Sequence, residues 1–311
     1  MKKESNLIVV LGCTATGKTN VAVNLALQTN GEVMGADSRQ VYKEMDVGTG
    51  KDLSEFTING KVIPHHLIDI VEAGSEYNVF KYQKDFLKAY ESILEREKQP
   101  ILCGGTGMYI EAVLKGYRLL DVPTNLELRE DLEQKTTKEL AAMLLLYKKT
   151  HNTTDLLDRD RAVRAIEIAK FEAENQTLMN DFPKINAQLY GINFERPIIK
   201  ERITKRLKNR LKNEGMIEEV EELMRCGISS NRLKFYGLEY KIITQFLLRE
   251  INRQEMFEKL NIAIHQFAKR QATWFRKMER NGVEINWIDG NFSLDEKTAY
   301  IIDHFYKKRV Q

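Results

Sequence analysis

Short apolar runs alternate with helical patterns in the first third of the chain. Strands are predicted at 7–11, 32–36 and 101–103, and helices at 19–28 and 80–98. Strand, loop and helix in this order form the repeating unit of a parallel α/β sheet. Each strand is followed by glycine or polar residues, and ligands of such sheets bind beyond the carboxyl ends of the strands. The loops after these three strands are therefore expected to form one site.

The pattern changes after the third strand. Residues 119–189 are charged and have helical periodicity, with little indication of strands. Thr136 with Glu139 predicts a capping box for a helix that continues through Lys149, and a second helix is predicted over 158–174. We expect residues 119–189 to form a helical insertion domain.

Beyond this segment a strand is predicted at 190–194, and two long amphipathic helices are predicted at 199–225 and 255–280. The predicted fold class is therefore α/β. A parallel sheet core like that of P-loop NTPases, flanked by helices, is expected to be built from 1–118 and 190–311.

Composition narrows the class of protein. Of the 311 residues, 42% are apolar, as in globular proteins with a sizeable core. The three cysteines are widely spaced and fit neither a disulfide framework nor a zinc site, which favours a reducing compartment. No apolar run approaches the ~20 residues of a membrane helix, and the charged start is unlike a signal peptide. We expect a cytoplasmic protein with no membrane partner.

The net charge of +3 is weak evidence for a polyanionic partner, but the basic residues are clustered. One such cluster is usually a solvated helix face, whereas three beside a phosphate-binding loop favour a partner that carries many phosphates. The clusters comprise Lys200, Arg202, Lys205, Arg206, Lys208, Arg210 and Lys212; Arg159, Arg161 and Arg164; and Lys269, Arg270, Arg276, Lys277 and Arg280.

Residues 12–19 match the phosphate-loop pattern G-x-x-x-x-G-K-[ST] in full, between a predicted strand and a predicted helix. The glycines let backbone N–H groups face a phosphate, and the helix N-terminus adds partial positive charge. Lys18 would supply a charge to the terminal phosphate, and the Thr19 hydroxyl is placed to hold Mg²⁺. The predicted diphosphate-binding residues of this loop are Gly12, Thr14, Ala15, Thr16, Gly17, Lys18 and Thr19.

The phosphate loop alone does not identify its ligand. Kinases and NTPases usually have an apolar strand that ends in an aspartate, which helps to hold Mg²⁺. Here the strand at 101–103 ends in Gly104-Gly105 instead, and Leu67-Ile68-Asp69 is a weak substitute. The loop therefore indicates a bound diphosphate or triphosphate more strongly than it indicates ATP hydrolysis.

Asp37 follows the second predicted strand. A carboxylate at this end of a strand, facing a phosphate loop, is well placed to accept a proton. A helix N-cap or turn would explain an aspartate at this position equally well.

Eight segments resemble, in the same order, those of tRNA dimethylallyltransferases, the IPP transferase (tRNA isopentenyltransferase) family. They span nearly the whole chain, and their order and spacing are together highly specific. The segments are Gly12–Thr19, Asp37-Ser38-x-Gln40-x-Tyr42, Met45-Asp46-x-Gly48-Thr49-x-Lys51, Pro64-His65-His66-Leu67-Ile68-Asp69, Gly104-Gly105-Thr106-Gly107-Met108-Tyr109, Arg161-x-x-Arg164-Ala165-Ile166-Glu167, Arg202-Ile203-x-x-Arg206 and Ala268-Lys269-Arg270-Gln271-x-Thr273-Trp274-Phe275-Arg276.

The resemblance implies transfer of a dimethylallyl group from dimethylallyl diphosphate to the exocyclic amine of the adenosine 3′ to the anticodon, in tRNAs that read codons beginning with U. The expected cofactor is Mg²⁺, the expected partner is the tRNA anticodon stem-loop, and a monomer is expected. By resemblance Asp37 is the general base, Thr106 hydrogen-bonds the same substrate, and Arg206 stabilises the leaving diphosphate. The positions implied to contact tRNA are Asp37, Ser38, Arg39, Gln40, Thr106, Arg129, Asp160, Arg161 and Arg164.

Two positions depart from the family's pattern. Cys13 replaces the usual proline of the phosphate loop, which affects stiffness more than chemistry because the donors are backbone groups. Glu239 stands where the family usually has a basic residue, so no tRNA contact is assigned there. Lys241 and Lys234 are the candidates to supply the missing charge. Trp274 is expected to be a core residue more than a stacking site for a base.

Three alternatives stay open. The first is a small-molecule kinase, against which the missing strand-end aspartate argues. The second is transfer to a free adenine nucleotide, which the insertion and the basic clusters disfavour. The third is a non-catalytic RNA-binding protein, which is disfavoured by the intact residues Lys18, Thr19, Asp37, Thr106 and Arg206.

Overall fold

The computed structural model describes residues 6–147, 158–175 and 182–310. Eight strands occur in these ranges, six of which form one parallel sheet in the order β5-β2-β6-β1-β7-β8, while β3 and β4 form a small antiparallel pair. The strands are β1 (Leu7–Gly12), β2 (Gly31–Ala36), β3 (Thr57–Ile58), β4 (Lys61–Val62), β5 (His65–His66), β6 (Gln99–Gly104), β7 (Ala187–Asn193) and β8 (Ile285–Asp289).

Twelve α-helices lie in the described ranges. They are α1 (Lys18–Thr29), α2 (Val79–Glu95), α3 (Gly107–Lys115), α4 (Leu126–Glu133), α5 (Thr137–Tyr147), α6 (Arg159–Glu174), α7 (Arg196–Asn213), α8 (Met216–Arg225), α9 (Ser230–Phe235), α10 (Leu238–Leu247), α11 (Arg253–Arg280) and α12 (Leu294–Val310).

The sheet is buried on both faces, as parallel sheets are when helices cover them. Every residue of β1, β2 and β6 is buried. On one face, side chains of the central strands pack with α1 and α12, through residues such as Val23 and Phe305. A second apolar cluster joins α7, α8, α10 and α11 to the loop after β2, and it includes the fully buried Tyr236 and Tyr240. The predicted α/β fold with a parallel sheet is confirmed.

Three details differ from the predictions. The helix expected at 199–225 is two helices, because Gly215 adopts a left-handed conformation (φ 72°) between α7 and α8. The sheet also has edge strands that the pattern did not indicate, β5 and β8, of which β5 has only two residues. The returning strand β7 begins at Ala187, before the expected 190.

The chain divides into two compact units, one made of Met1–Lys115 with Lys184–Gln311 and the other of Gly116–Pro183. The expected boundaries lay at 118/119 and 189/190; the second differs because β7, which starts at Ala187, pairs with β1.

The described part of the smaller unit is helical, with α4, α5 and α6 around a core that includes Leu140 and Ile166. The predicted capping box is present at its α5, where Glu139 and Thr136 exchange hydrogen bonds. The last residues of the helix predicted through Lys149 lie outside the described ranges.

Within the described ranges, none of the helices has the length and apolar character needed to cross a membrane.

Candidate active site

The phosphate loop connects the last residue of β1 to the first turn of α1. Ala15 (φ 64°) and Gly17 (φ 78°) both have left-handed conformations, which turn successive N–H groups toward one concave side. The Thr16 hydroxyl closes the turn by donating to the Cys13 carbonyl at 2.9 Å. A Cβ atom on Gly12 would lie 2.9 Å from a carbonyl oxygen of the neighbouring β7, so this position requires glycine.

The ammonium group of Lys18 lies inside this loop, 3.4 Å from the Cys13 carbonyl oxygen. A half-buried carboxylate, Glu55, faces the same region from a short 3₁₀ helix after β2. Burial and the charge of Asp52 raise the pKa of Glu55, while the charges of Arg206 and Lys18 oppose this shift. The sequence pattern did not indicate Glu55, because no motif contains it.

The loops after β2 and β6 are joined by hydrogen bonds. The Ser38 N–H donates to Oγ1 of Thr106 at 3.1 Å, and the Thr106 N–H donates to the Ala36 carbonyl at 3.1 Å. The Asp37 carboxylate accepts from the Arg39 N–H at 2.9 Å. Because β2, β6 and β1 are adjacent and parallel, Asp37 and Thr106 lie at the same edge of the sheet as the phosphate loop. Their catalytic roles stay predictions.

Two stacked tyrosines lie beside Asp37. The rings of Tyr82 and Tyr109 are 3.9 Å apart between centroids and nearly parallel, and the Tyr82 hydroxyl donates to the Gly35 carbonyl at 3.0 Å. Burial raises the pKa of both phenols, and the charge of Asp37 raises it further. Both phenols are therefore neutral at physiological pH.

Gln271 of α11 links two of the loops at this edge. Its side-chain oxygen accepts from the Thr14 N–H at 2.9 Å, and its Nε2 donates to the Gly105 carbonyl at 3.0 Å. The side chain is buried, and a Cβ atom on Gly105 would collide with it. The sequence segment around Gln271 belonged to the resemblance, but nothing in the sequence indicated this bridge.

Trp274, one turn further along α11, packs over Gly107 so closely that a Cβ atom there would collide with the indole ring. Its Nε1 donates to the buried Glu111 at 3.1 Å. Trp274 therefore supports the Gly104–Gly107 loop with a half-buried side chain, and its expected core role stays a prediction.

Helix α7 contributes two arginines. Nε of Arg202 donates to the Ala15 carbonyl of the phosphate loop at 2.8 Å. Nη2 of Arg206 donates to the Gly50 carbonyl at 3.2 Å. Burial lowers the pKa of Arg206, and the charge of Glu55 opposes this shift. The charges of Lys18 and Arg206 both lower the pKa of Glu55. The two side chains therefore flank a common positively charged region.

Asp69 is, in the sequence, a weak substitute for the aspartate that ends a strand in kinases and helps to hold Mg²⁺. In the structure its carboxylate is engaged in an ion pair. It pairs with the buried ammonium group of Lys51, which also binds Asp46 at 2.6 Å and donates to the Tyr42 carbonyl at 2.9 Å. Asp69 thus anchors the loop that precedes Lys51, so that it does not serve a kinase-like metal site.

Glu239, the departure from the family's pattern, lies in the first turn of α10. Of the two lysines considered as replacements, Lys234 is paired with Glu250 at 2.6 Å, and Lys241 is exposed. The positive charges of Arg210 and Arg39 lower the pKa of Glu239.

In the smaller unit, two of the arginines implied to contact tRNA hold a buried carboxylate. Nε of Arg129 donates to Glu167 at 2.7 Å, and Nη1 of Arg164 donates to it at 3.0 Å. Arg164 also donates to the Val122 carbonyl at 2.7 Å. Asp160 and Arg161 are exposed at the start of α6. Arg129 and Arg164 therefore stabilise this unit, whatever else they bind.

The donor set for a metal ion is small. Among residues 6–147, 158–175 and 182–310, no three His, Cys, Asp or Glu side chains are grouped as a metal site. The Thr19 hydroxyl lies in the first turn of α1, next to Lys18. Mg²⁺ commonly binds through substrate phosphates, water and few protein oxygens, so a single hydroxyl beside a phosphate loop fits this ion.

A phosphate loop between the first strand and first helix of a parallel sheet, with a carboxylate on the adjacent loop, defines a P-loop enzyme core. The family model for IPP transferase matches residues 40–278, and a model for isopentenyl transferase matches 5–60. A tRNA dimethylallyltransferase 1 of Parabacteroides distasonis is 52% identical over 297 residues, covering 96% of each chain. This chain belongs to the IPP transferase family.

Solved structures agree with this fold. A full-length tRNA isopentenylpyrophosphate transferase from Bacillus halodurans superposes with a TM-score of 0.71 and 29% identity, over 99% of this chain and 98% of that one. A eukaryotic dimethylallyltransferase acting on tRNA gives a TM-score of 0.79 at 20% identity, over 98% of this chain and 80% of that one, which supports the fold.

Proposed function

We propose that this protein transfers the dimethylallyl group of dimethylallyl diphosphate to the exocyclic amine of the adenosine 3′ to the anticodon in tRNA. The activity named for the Parabacteroides relative, together with the layout of the site, supports this assignment. By the family resemblance, the substrates are tRNAs that read codons beginning with U.

A connected set of hydrogen bonds carries the proposal. The hydrogen bond from the Ser38 N–H to the Thr106 hydroxyl fixes the loop of Asp37 against the loop after β6, and Gln271 ties that second loop to the phosphate loop. A diphosphate at the phosphate loop and an amine at Asp37 are thereby positioned from one connected group of loops. Such positioning contributes strongly to bimolecular reactions.

The chemistry follows from these positions. The C–O bond to the diphosphate breaks as the C–N bond to the adenine amine forms, and positive charge develops on the allyl group. The phosphate-loop N–H groups, Lys18 and Arg206 stabilise the departing diphosphate. Asp37 accepts the proton that the amine loses, and Thr106 hydrogen-bonds the base. The adenine has to leave its stack to reach this edge.

Thr19 would hold Mg²⁺ together with the oxygens of the diphosphate. The ion neutralises charge on the leaving group when it is bound. The Thr14 N–H already donates to Gln271, so Lys18 and the other N–H groups of the loop would bind the diphosphate.

The tRNA contacts assigned to Ser38, Arg39, Gln40, Arg129, Asp160, Arg161 and Arg164 are part of the proposal. A cytoplasmic location and a monomeric state likewise stay predictions.

The test uses purified protein, Mg²⁺ and dimethylallyl diphosphate labelled in the allyl group. The acceptors are an unmodified tRNA that reads a codon beginning with U, AMP, and none. Label on the tRNA alone, mapped to the adenosine 3′ to the anticodon, is the expected result. Label on AMP would move the function to free nucleotides. Hydrolysis of ATP in a parallel reaction, with no transfer of label, would favour the kinase alternative.

A further inference from the structure

The guanidinium groups of Arg206 and Arg210 converge on one point. Both arginines lie on α7, one helical turn apart and therefore on the same face. A Cβ atom on Gly50 would lie 2.5 Å from Nη2 of each. Gly50 has a left-handed conformation (φ 76°), so both its backbone and the space above it require glycine. Two like charges are thus held against the same segment of backbone.

Arg210 lacks the partners that such a position demands. Its side chain is only 11% exposed, and its ion pair with Glu214 is long at 3.8 Å. In the described ranges of the chain, no protein group accepts a hydrogen bond from its guanidinium. A guanidinium has several N–H donors, and none of those of Arg210 is both fully buried and unpaired, so its unpaired donors are accessible. The site therefore suits an acceptor that comes from outside the protein.

The surrounding carboxylates do not supply that acceptor. Glu219 is engaged by the N–H groups of Asp46, Val47 and Gly48, at 2.8, 2.6 and 3.0 Å, and by the Tyr240 hydroxyl at 2.7 Å. Burial raises the pKa of Glu239 to about 7, although the Arg210 charge opposes this, so Glu239 is only partly charged near neutral pH.

The arginine pair keeps its positive charge. Burial and the neighbouring Arg206 lower the pKa of Arg210 to about 10, so it is still charged at physiological pH.

The same face of α7 reaches the phosphate loop. Arg202, one turn before Arg206, donates to the Ala15 carbonyl at 2.8 Å. The charges of Arg206 and of Lys18 in the phosphate loop both lower the pKa of Glu55. The row formed by Arg202, Arg206 and Arg210 therefore extends from the phosphate loop along α7, with Arg210 at its far end.

We propose that Arg210 binds phosphate oxygens of a substrate together with Arg206, so that the phosphate site extends beyond the loop and its lysine. This inference rests on the proposed function. The ligand chemistry is a phosphate group, whose source is either the diphosphate of the prenyl donor or a backbone phosphate of the RNA beside the target adenosine. Paired guanidinium groups suit either, because each can donate two parallel N–H groups to phosphate oxygens.

The test compares Arg210→Met with Arg225→Met. Arg225 lies on α8, is 69% exposed and pairs with Glu222, so its replacement removes the same charge from a surface position. Calorimetry measures the affinity of each full-length protein for inorganic pyrophosphate with Mg²⁺, and separately for an unmodified anticodon stem-loop RNA. Melting temperatures check that the variants are folded.

Arg210→Met is expected to weaken one of these affinities by about tenfold or more, and Arg225→Met to leave both unchanged. A loss for pyrophosphate places Arg210 at the donor diphosphate, and a loss for RNA alone places it at a backbone phosphate. Both affinities within twofold of the wild type would overturn the inference.

Two further measurements keep the inference testable if Arg210→Met does not fold or if the protein has no transfer activity. If Arg210→Met is unfolded, Arg210→Lys keeps the charge but not the paired donors, and an intermediate loss of affinity is expected; an affinity equal to that of the wild type would count against the inference. The labelled transfer assay on the wild-type protein tests the proposed function separately. A protein without transfer activity, in which Arg210→Met still loses pyrophosphate binding, would retain the phosphate site and lose the proposed function.

Discussion

The side-chain oxygen of Gln271 accepts a hydrogen bond from the backbone N–H of Thr14 at 2.9 Å, across 257 residues of chain. Through its Nε2 the same amide holds the Gly105 carbonyl. One buried side chain thus sets the spacing between the phosphate loop and the loop that carries Thr106. This spacing matters because the two substrates are expected to meet between these loops.

Replacing Gln271 tests this linkage. Gln271→Met keeps the size of the side chain but leaves the Thr14 N–H and the Gly105 carbonyl unpaired. Each buried polar group without a partner lowers the free energy of unfolding by about 1–3 kcal/mol. We expect lower stability in urea and a fall in kcat for transfer. Gln254→Met, at an exposed position of the same helix, is the matched control. Unchanged kcat with a folded protein would mean that the bridge only stabilises the fold.

Asp37→Asn should separate chemistry from binding. The variant keeps the side-chain oxygen that accepts from the Arg39 N–H, so the loop is expected to stay in place. Loss of a general base lowers rates by roughly 10²–10⁴-fold, while affinity for tRNA should change by no more than a few-fold. Single-turnover transfer and filter binding measure the two quantities. Full activity would exclude Asp37 as the base.

Glu167 makes the smaller unit sensitive to acid. Burial alone would raise the pKa of its carboxyl group, but hydrogen bonds from Arg129, Arg164 and the Asn125 N–H lower it to about 2. Because this lies below the unfolded value of about 4.3, the resulting stabilisation is complete above pH ~5 and is lost as the pH falls toward 2.

We therefore expect Glu167→Gln to be less stable than the wild type at pH 7, by on the order of 3 kcal/mol. The difference should narrow as the pH is lowered from 5 to 3, because the wild-type carboxylate becomes protonated. Urea unfolding at a series of pH values measures it. Glu130→Gln, at an exposed position of α4, should show no such trend. A difference independent of pH would show that packing, and not charge, is responsible.

The arginines of α6 should behave differently from one another. Arg161 is exposed, so Arg161→Ala is expected to weaken tRNA binding and to reduce the slope of its salt dependence by about one, without loss of stability. Arg164→Ala should also lower stability, because Arg164 holds both Glu167 and the Val122 carbonyl. Binding at several salt concentrations, together with thermal melts, separates the two effects. A purely catalytic loss in Arg161→Ala would contradict the proposed tRNA contact.

The sequence determined those features that depend on consecutive residues. The phosphate loop could be predicted because strand, glycines, lysine and helix follow one another within residues 7–29, and their conformations are local. The order of the remaining strands in the sheet was harder to predict from the sequence. The edge strand β5 has only two residues, and the break at Gly215 is one glycine in an otherwise continuous helical pattern.

Only the tertiary structure decided which distant residues share the site. Gln271 reaches Thr14, and Arg210 reaches the space above Gly50, because α11 and α7 pack with residues of the loop after β2. A glutamine or an arginine on an amphipathic helix has no sequence pattern that specifies its partner. Local conformation follows from short-range sterics and hydrogen bonds, whereas these contacts follow from burial of apolar faces, which fixes neighbours that are far apart in the chain.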